Sequence, residues 1–293
     1  MKRDIYQDVT DKIIKSLEES ACSGRWVKPW FDVVAAGADY NIISKKAYRG
    51  INIMLLWLSK DENGFQSDQW ATFKQWKSKG ASVKKGEKGT HIVFFKPCKV
   101  LDKETGDEAT IRLARGYVVF NADQVEGYEA PAITEVDKTP ADTAVNSLAE
   151  FNQAHVEHGG NKACFIPSHD MIKMPHASQF DNVESYALTL AHELTHWTGH
   201  KSRLDRDFSG RFGSNAYAFE ELVAELGAAF IGARLEISAE PREDHAKYID
   251  SWLEVMKGDK RAIFKAASLA QQAVDLLLEA EEISEHEEGE EAA

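Results

Sequence analysis

Residues Tyr186-Ala187-Leu188-Thr189-Leu190-Ala191-His192-Glu193-Leu194-Thr195-His196-Trp197-Thr198-Gly199 decide how this sequence reads. The apolar run before His192 predicts a helix with a buried back, ending at Gly199. On such a helix His192 and His196 stand one turn apart on one face, so both imidazoles reach one metal ion. Glu193 then points toward a water on that ion. Zinc lowers the pKa of such a water toward neutrality, and Glu193 can take its proton and pass it on. A chain with this His and Glu content carries the HExxH pattern by chance only about 0.03 times, which favours a metal site over two surface histidines.

A catalytic zinc needs a third protein ligand. The longer pattern HExxHxxGxxH fits as far as Gly199 but ends on Ser202, so that class fails. His200, one turn beyond His196, would sit above the metal rather than beside it. The stronger candidates lie in Phe219-Glu220-Glu221-Leu222-Val223-Ala224-Glu225-Leu226-Gly227-Ala228-Ala229-Phe230. Carboxylates on a helix with this apolar face are costly unless paired or metal-bound. Glu221 and Glu225 match the gluzincin arrangement, in which one acid ligates and an acid four positions on orients a ligand histidine. Glu221 is the leading ligand, Glu225 the alternative, and Glu220 the third choice. The metal is Zn²⁺ or another divalent ion such as Mn²⁺, since a His₂Glu site accepts several.

Charge divides the chain. The whole carries 35 basic and 48 acidic side chains, a net −13, which taken alone argues against a polyanion partner. Residues 1–130, however, hold 21 basic against 18 acidic, and residues 44–99 hold 12 against 4. Such asymmetry points to a polyanion-binding part joined to an acidic one. Single-strand binders combine a cationic groove with aromatic platforms. Lys45, Lys46, Tyr48 and Arg49 cluster before one helix; Lys74, Trp76 and Lys77 interleave on another; Lys84, Lys85 and Lys88 decorate a Gly-bounded turn. With Trp26, Trp30, Trp57, Trp70 and Trp76 in one small domain, at least three are expected in its core. No zinc finger, basic zipper or helix-turn-helix is present, so contacts to backbone and stacked bases are the natural form.

At about 150 residues per domain, 293 residues suggest two domains. The fold class is α+β: a small α+β domain over residues 1–130, a Pro- and Thr-rich linker at 131–143, a mainly helical domain with a short sheet at 144–278, and an acidic tail at 279–293. Within these, helices are expected at Tyr6–Glu19, around Ile51–Leu58, at Ala144–His158, Asn182–Gly199, Ala216–Leu235, His245–Lys257 and Ala262–Leu278. Strand pairs are expected at His91–Phe95 with Gly116–Phe120, and at Ala163–Pro167 with Asp170–Pro175. The tail, with eight Glu and no Lys or Arg, reads as a solvated extension. Cys22, Cys98 and Cys164 form no CxxC pair, and no run approaches the ~18 apolar residues of a membrane span. A cytoplasmic, reduced protein is the expectation.

Several segments together resemble a known family. Tyr48-Arg49-Gly50-Ile51-Asn52, Trp70-Ala71-Thr72-Phe73-Lys74-Gln75 and Val83-Lys84-Lys85-Gly86-Glu87-Lys88-Gly89-Thr90 resemble the N-terminal domain of ArdC-type antirestriction proteins, relatives of plasmid TraC primases. Asp170-Met171-Ile172-Lys173-Met174-Pro175, His192 to His200, Arg203-Leu204 and Glu220 to Leu226 resemble the zincin-like metallopeptidase domain of the same family. The resemblance spans about residues 5–278. It implies a plasmid- or phage-borne protein that binds single-stranded DNA and protects incoming DNA from host restriction during conjugation. It also implies a peptidase-like second domain, with a host protein as a candidate substrate. The runner-up reading is a metallopeptidase that uses its N-terminal domain only for targeting to DNA. The acid excess lies in the second half, so imitation of DNA by the N-terminal domain is not expected.

Overall fold

The computed structural model describes residues 4–22, 38–101, 108–129, 139–208, 210, 214–237 and 246–291; at 20–22, 96–101, 108–112, 246–248 and 279–291 it describes the backbone only. Helix α1 (Ile5–Cys22) opens the chain. The N-terminal part continues through β1 (Tyr40–Asn41), α2 (Ile51–Asn63), β2 (Gln69–Ala71), α3 (Phe73–Ser78), β3 (Ser82–Val83), β4 (Thr90–Leu101), β5 (Glu108–Asn121) and β6 (Val125–Glu126). Strands β1-β2-β5-β4 form one sheet, with β1 parallel to β2 and the rest antiparallel; β3 and β6 make a two-stranded ribbon. Helix α3 starts with a capping box: the Thr72 hydroxyl accepts from the Gln75 N–H at 3.3 Å, and the Gln75 side chain accepts from the Thr72 N–H at 2.9 Å. The β4–β5 hairpin pairs from Thr90↔Val119 to Leu101↔Glu108 and is far longer than the two apolar cores His91–Phe95 and Gly116–Phe120 suggest. Lys96-Pro97 interrupts the first apolar run, and Arg112 and Arg115 break the second into isolated apolar residues, which hid the extension. The tip at 102–107, the Gly24–Phe31 loop with Trp26 and Trp30, and linker positions 131–138 lie outside the described residues.

The C-terminal part runs α4 (Ala141–Phe151), β7 (His155–His158), β8 (Cys164–Ile166), β9 (Met171–Met174), α5 (Val183–Thr198), α6 (Asn215–Arg234), α7 (Ala246–Gly258) and α8 (Ala262–Glu291). The expected helix Ala144–His158 is corrected: it begins at Ala141 and stops at Phe151, and His155–His158 is a strand. Gln153 takes a left-handed φ of 55°, which breaks the helix and turns the chain into β7. The three-stranded sheet has order β7-β9-β8, with β7 parallel and β8 antiparallel to β9. Helix α8 does not stop at Leu278; its backbone stays helical to Glu291, as the high intrinsic helix propensity of glutamate permits without an apolar face.

The largest apolar cluster draws on both parts. Val9, Ile13 and Leu17 of α1 and Ile51, Met54, Leu55, Trp57 and Leu58 of α2 join Leu190, Leu194, Leu226, Phe230, Trp252, Ile263 and Val274. Polar contacts reinforce the seam. The Gly50 N–H donates to the Gln271 side chain at 2.9 Å, the Thr10 hydroxyl donates to the Lys260 carbonyl at 2.7 Å, and Arg49 pairs with Asp275. Asn52 at the start of α2 docks on the free edge of β4, exchanging two hydrogen bonds with Val93 at 2.8 and 2.9 Å.

Candidate metal centre and basic face

Helices α5 and α6 create the site because they can approach closely. Their contact is at Gly227, where a Cβ would lie 2.4 Å from the Thr195 side chain. Each helix is fixed at its start: the Asn182 side chain accepts from the Ser185 N–H at 2.7 Å, and the Ser214 hydroxyl from the Tyr217 N–H at 3.2 Å. The approach sets Glu220, Glu221 and Glu225 of α6 against His192 and His196 of α5.

The two Nε2 atoms of His192 and His196 face each other at 3.1 Å. Glu221 lies across them, 3.7 Å from His192 Nε2 and 3.6 Å from His196 Nε2. Such spacings match the ~3.4 Å edge of a tetrahedron built on metal–ligand bonds of about 2.0–2.1 Å. His192, His196 and Glu221 therefore fit a divalent ion, and they are the group of three metal donors that the described residues bring together. The other ring nitrogens face carboxylates as well: Glu225 lies 3.6 Å from His192 Nδ1, and Glu220 3.1 Å from His196 Nδ1. Each imidazole is thereby oriented from behind, which leaves both Nε2 atoms for the metal.

Glu220 is itself held. Arg206 donates to it at 2.8 and 3.0 Å and to the Thr198 hydroxyl at 2.9 Å, with its own side chain buried. Burial works to lower the pKa of His196, but the surrounding Glu220, Glu221 and Glu193 raise it to about 10. Glu220 and Glu221 stay below the ordinary carboxylate range because, against the upward push of burial, His196 bonds both, Arg206 bonds Glu220 and Tyr217 bonds Glu221. Glu193 behaves oppositely. Burial pushes its carboxyl up to about 7, although His196 and the Phe165 N–H, which donates to Oε2 at 2.7 Å, pull downward. A buried carboxyl titrating near neutrality beside a divalent-ion site is suited to accept and return protons.

His200 is not part of the cluster; its Nδ1 contacts the Ser202 hydroxyl at 2.8 Å. The loop after it is pinned by Arg203, which stacks 3.6 Å from the Trp197 ring centroid and pairs with Asp170. Arg206 and the Phe165 amide were not legible in the sequence. A single arginine beyond an HExxH motif carries no signal of its burial, and a backbone donor has no sequence signature at all.

The basic candidates separate into two groups. Lys45, Lys46, Lys74, Lys77, Lys84, Lys85 and Lys88 are all solvent-exposed. Trp76 is corrected as a stacking platform: it is fully buried, its indole N–H donates to the Phe120 carbonyl at 3.0 Å, and it offers no face to a base. The neighbouring Phe73 is exposed instead, edge-on to Phe120 at 6.5 Å. Tyr48 is half-buried with its hydroxyl accepting from Asn41, and Arg49 is engaged by Asp275. Of the tryptophans in this part that are described, Trp57, Trp70 and Trp76 are all buried.

Fold and site together define a zincin-like divalent-metal domain joined to a small α+β domain that carries exposed lysines. Residues 143–269 match the family model of a zincin-like metallopeptidase, and residues 3–120 that of the N-terminal domain of anti-restriction factor ArdC. The crystal structure of the antirestriction ArdC protein of the R388 plasmid, metal-free, is 40% identical with a TM-score of 0.78, covering 95% of this chain and 98% of that one. Its Mn(II)-bound form superposes with a TM-score of 0.77 over the same shares. Protein y4eC of Sinorhizobium fredii is 42% identical over 93% of this chain and 91% of its own length. DNA primase TraC of Escherichia coli is 34% identical over 95% of this chain, which spans only 27% of that primase. The chain belongs to the ArdC antirestriction family, and its centre is one for a divalent metal. No helix among the described residues is long and apolar enough to cross a membrane.

Proposed function

We propose that this protein binds single-stranded DNA non-specifically through its N-terminal part and protects incoming plasmid DNA from host restriction in the cytoplasm during conjugation. Its C-terminal part is a metal-dependent, peptidase-like module. The observation that carries the DNA reading is the set of seven exposed lysines, Lys45, Lys46, Lys74, Lys77, Lys84, Lys85 and Lys88, on the part that matches the ArdC N-terminal domain. Exposed ammonium groups suit phosphates, even where one, Lys84, also donates to the Asp123 carbonyl at 2.8 Å; the exposed Phe73 ring offers a face to a stacked base, and neither reads base edges. The test is a salt titration of oligo(dT) affinity with the full chain. A steep negative slope of log K against log salt is expected, shallower by about 0.7 for each phosphate-contacting lysine replaced by glutamine. A flat slope contradicts the electrostatic contact.

A divalent ion bound in the C-terminal module would supply Lewis acidity toward a carbonyl and a water. His192, His196 and Glu221 would hold it, Glu225 and Glu220 fix the two rings, and Glu193 takes and returns the proton. The intact Glu193 favours a second reading, in which cleavage of a host protein protects the DNA and the N-terminal part only targets the enzyme. Glu193→Gln in the full chain separates the two. Protection retained supports the first reading; protection lost with oligo(dT) affinity unchanged supports the second.

A further inference from the structure

Opposite the packed face of the β4–β5 ribbon is a patch that neither the metal centre nor the lysine set uses. Register places Phe94 across from Arg115 and Ile92 across from Tyr117, so these four side chains share one face. Near the sheet that face is closed: Ile92 and Val119 are buried with Leu56 and Trp70. As the ribbon extends outward, the same face becomes open. Phe94 is 58% exposed, Tyr117 45% and Leu113 45%, and the Phe94 and Tyr117 rings meet edge to face at 5.7 Å. The other face is only partly covered: Val93 lies in the main core and Phe95, though 38% exposed, packs its ring against Tyr6 and Phe264. Arg115 is exposed in the middle of the open patch and has no ion pair among the described residues.

We propose that Phe94, Tyr117 and Arg115 form a stacking site for the bases of a single strand, an inference that rests on the single-strand reading above. Size favours this occupant over a protein. Aromatic side chains offer about 150–250 Å² each, so these exposures leave roughly 300 Å² of apolar surface. A stable protein interface takes about 800 Å² from each partner. A base needs only one ring face, stacks without sequence preference, and brings a phosphate within reach of the guanidinium. The ribbon would thus contribute aromatic contacts in addition to the charge that the lysines supply.

The test measures labelled oligo(dT) affinity by fluorescence anisotropy with the full chain and variants at exposed positions. Phe94→Ala and Tyr117→Ala are each expected to weaken binding about 10-fold at unchanged melting temperature. Phe94→Trp should keep the affinity, and its added indole emission should be quenched by the oligonucleotide. Arg115→Gln should make the salt slope shallower by about 0.7. Parent-like affinity in the Phe94→Ala/Tyr117→Ala variant overturns the stacking site and leaves the lysine reading standing. No binding by the parent overturns both. Self-association of the parent that disappears in the double variant, with DNA affinity unchanged, would instead make this face an interface between copies of the chain.

Discussion

At the scale of the residue, the metal centre depends on three carboxylates used in two ways. Glu221 faces both Nε2 atoms, whereas Glu220 and Glu225 each face one Nδ1 from behind. The sequence makes Glu221 the leading ligand and leaves Glu225 as the alternative ligand or, in the gluzincin arrangement, the acid that orients a histidine, since the two stand one turn apart on the helix. It could not assign Glu220, whose role depends on Arg206 arriving from a loop. Glu220→Gln removes the charge that holds His196 Nδ1–H and leaves Arg206 buried without its counter-ion. Titration of the variant with Mn²⁺ or Zn²⁺ should show affinity reduced by about 10–100-fold, with one ion per chain retained. Affinity equal to the parent's would mean that Glu220 serves only to anchor the loop.

At the scale of the element, the distance between α5 and α6 is set by the absence of a side chain at Gly227. Thr195, one residue before a ligand histidine, occupies the space a Cβ would need. Gly227→Ala has to separate the helices or force Thr195 out of place, and Ala is otherwise the better helix residue by about 1 kcal/mol. The steric term is expected to win, giving a lower melting temperature and weaker divalent-ion binding together, read by thermal unfolding with and without metal. A stabilised variant with parent-like metal affinity would show that the close approach is not required. The helices themselves were legible from apolar spacing, whereas the Asn182 and Ser214 side-chain caps that fix the starts of α5 and α6 are seen only in the structure. Strand β7 was not legible, because His155-Val156-Glu157-His158 carries only one apolar residue and continues the helical spacing of α4. Its assignment depends on the left-handed turn at Gln153 and on pairing with β9, which no local window contains.

At the scale of the whole molecule, two sequence regions with different charge share one core. Family matches end at residue 120 and resume at 143, yet Trp57 of α2 packs edge-on to Phe230 of α6 at 6.1 Å, and α1 lies along α7. Composition revealed the charge boundary because charge lies on the surface. It could not reveal the common core, because α1 and α2 read as amphipathic or buried helices without saying against what. The exposed aromatics of the β4–β5 ribbon escaped notice for the same reason: a Phe in a strand reads as core until the covering layer is known.

The central claim is a divalent-metal centre that α6 completes through Glu221. Calorimetric titration of Mn²⁺ or Zn²⁺ into the full chain, its Glu221→Gln variant and its Glu225→Gln variant tests it most directly. One ion per parent chain, no measurable binding with Glu221→Gln, and weakened one-ion binding with Glu225→Gln is the predicted result. Undiminished binding by Glu221→Gln, or loss confined to Glu225→Gln, would contradict it.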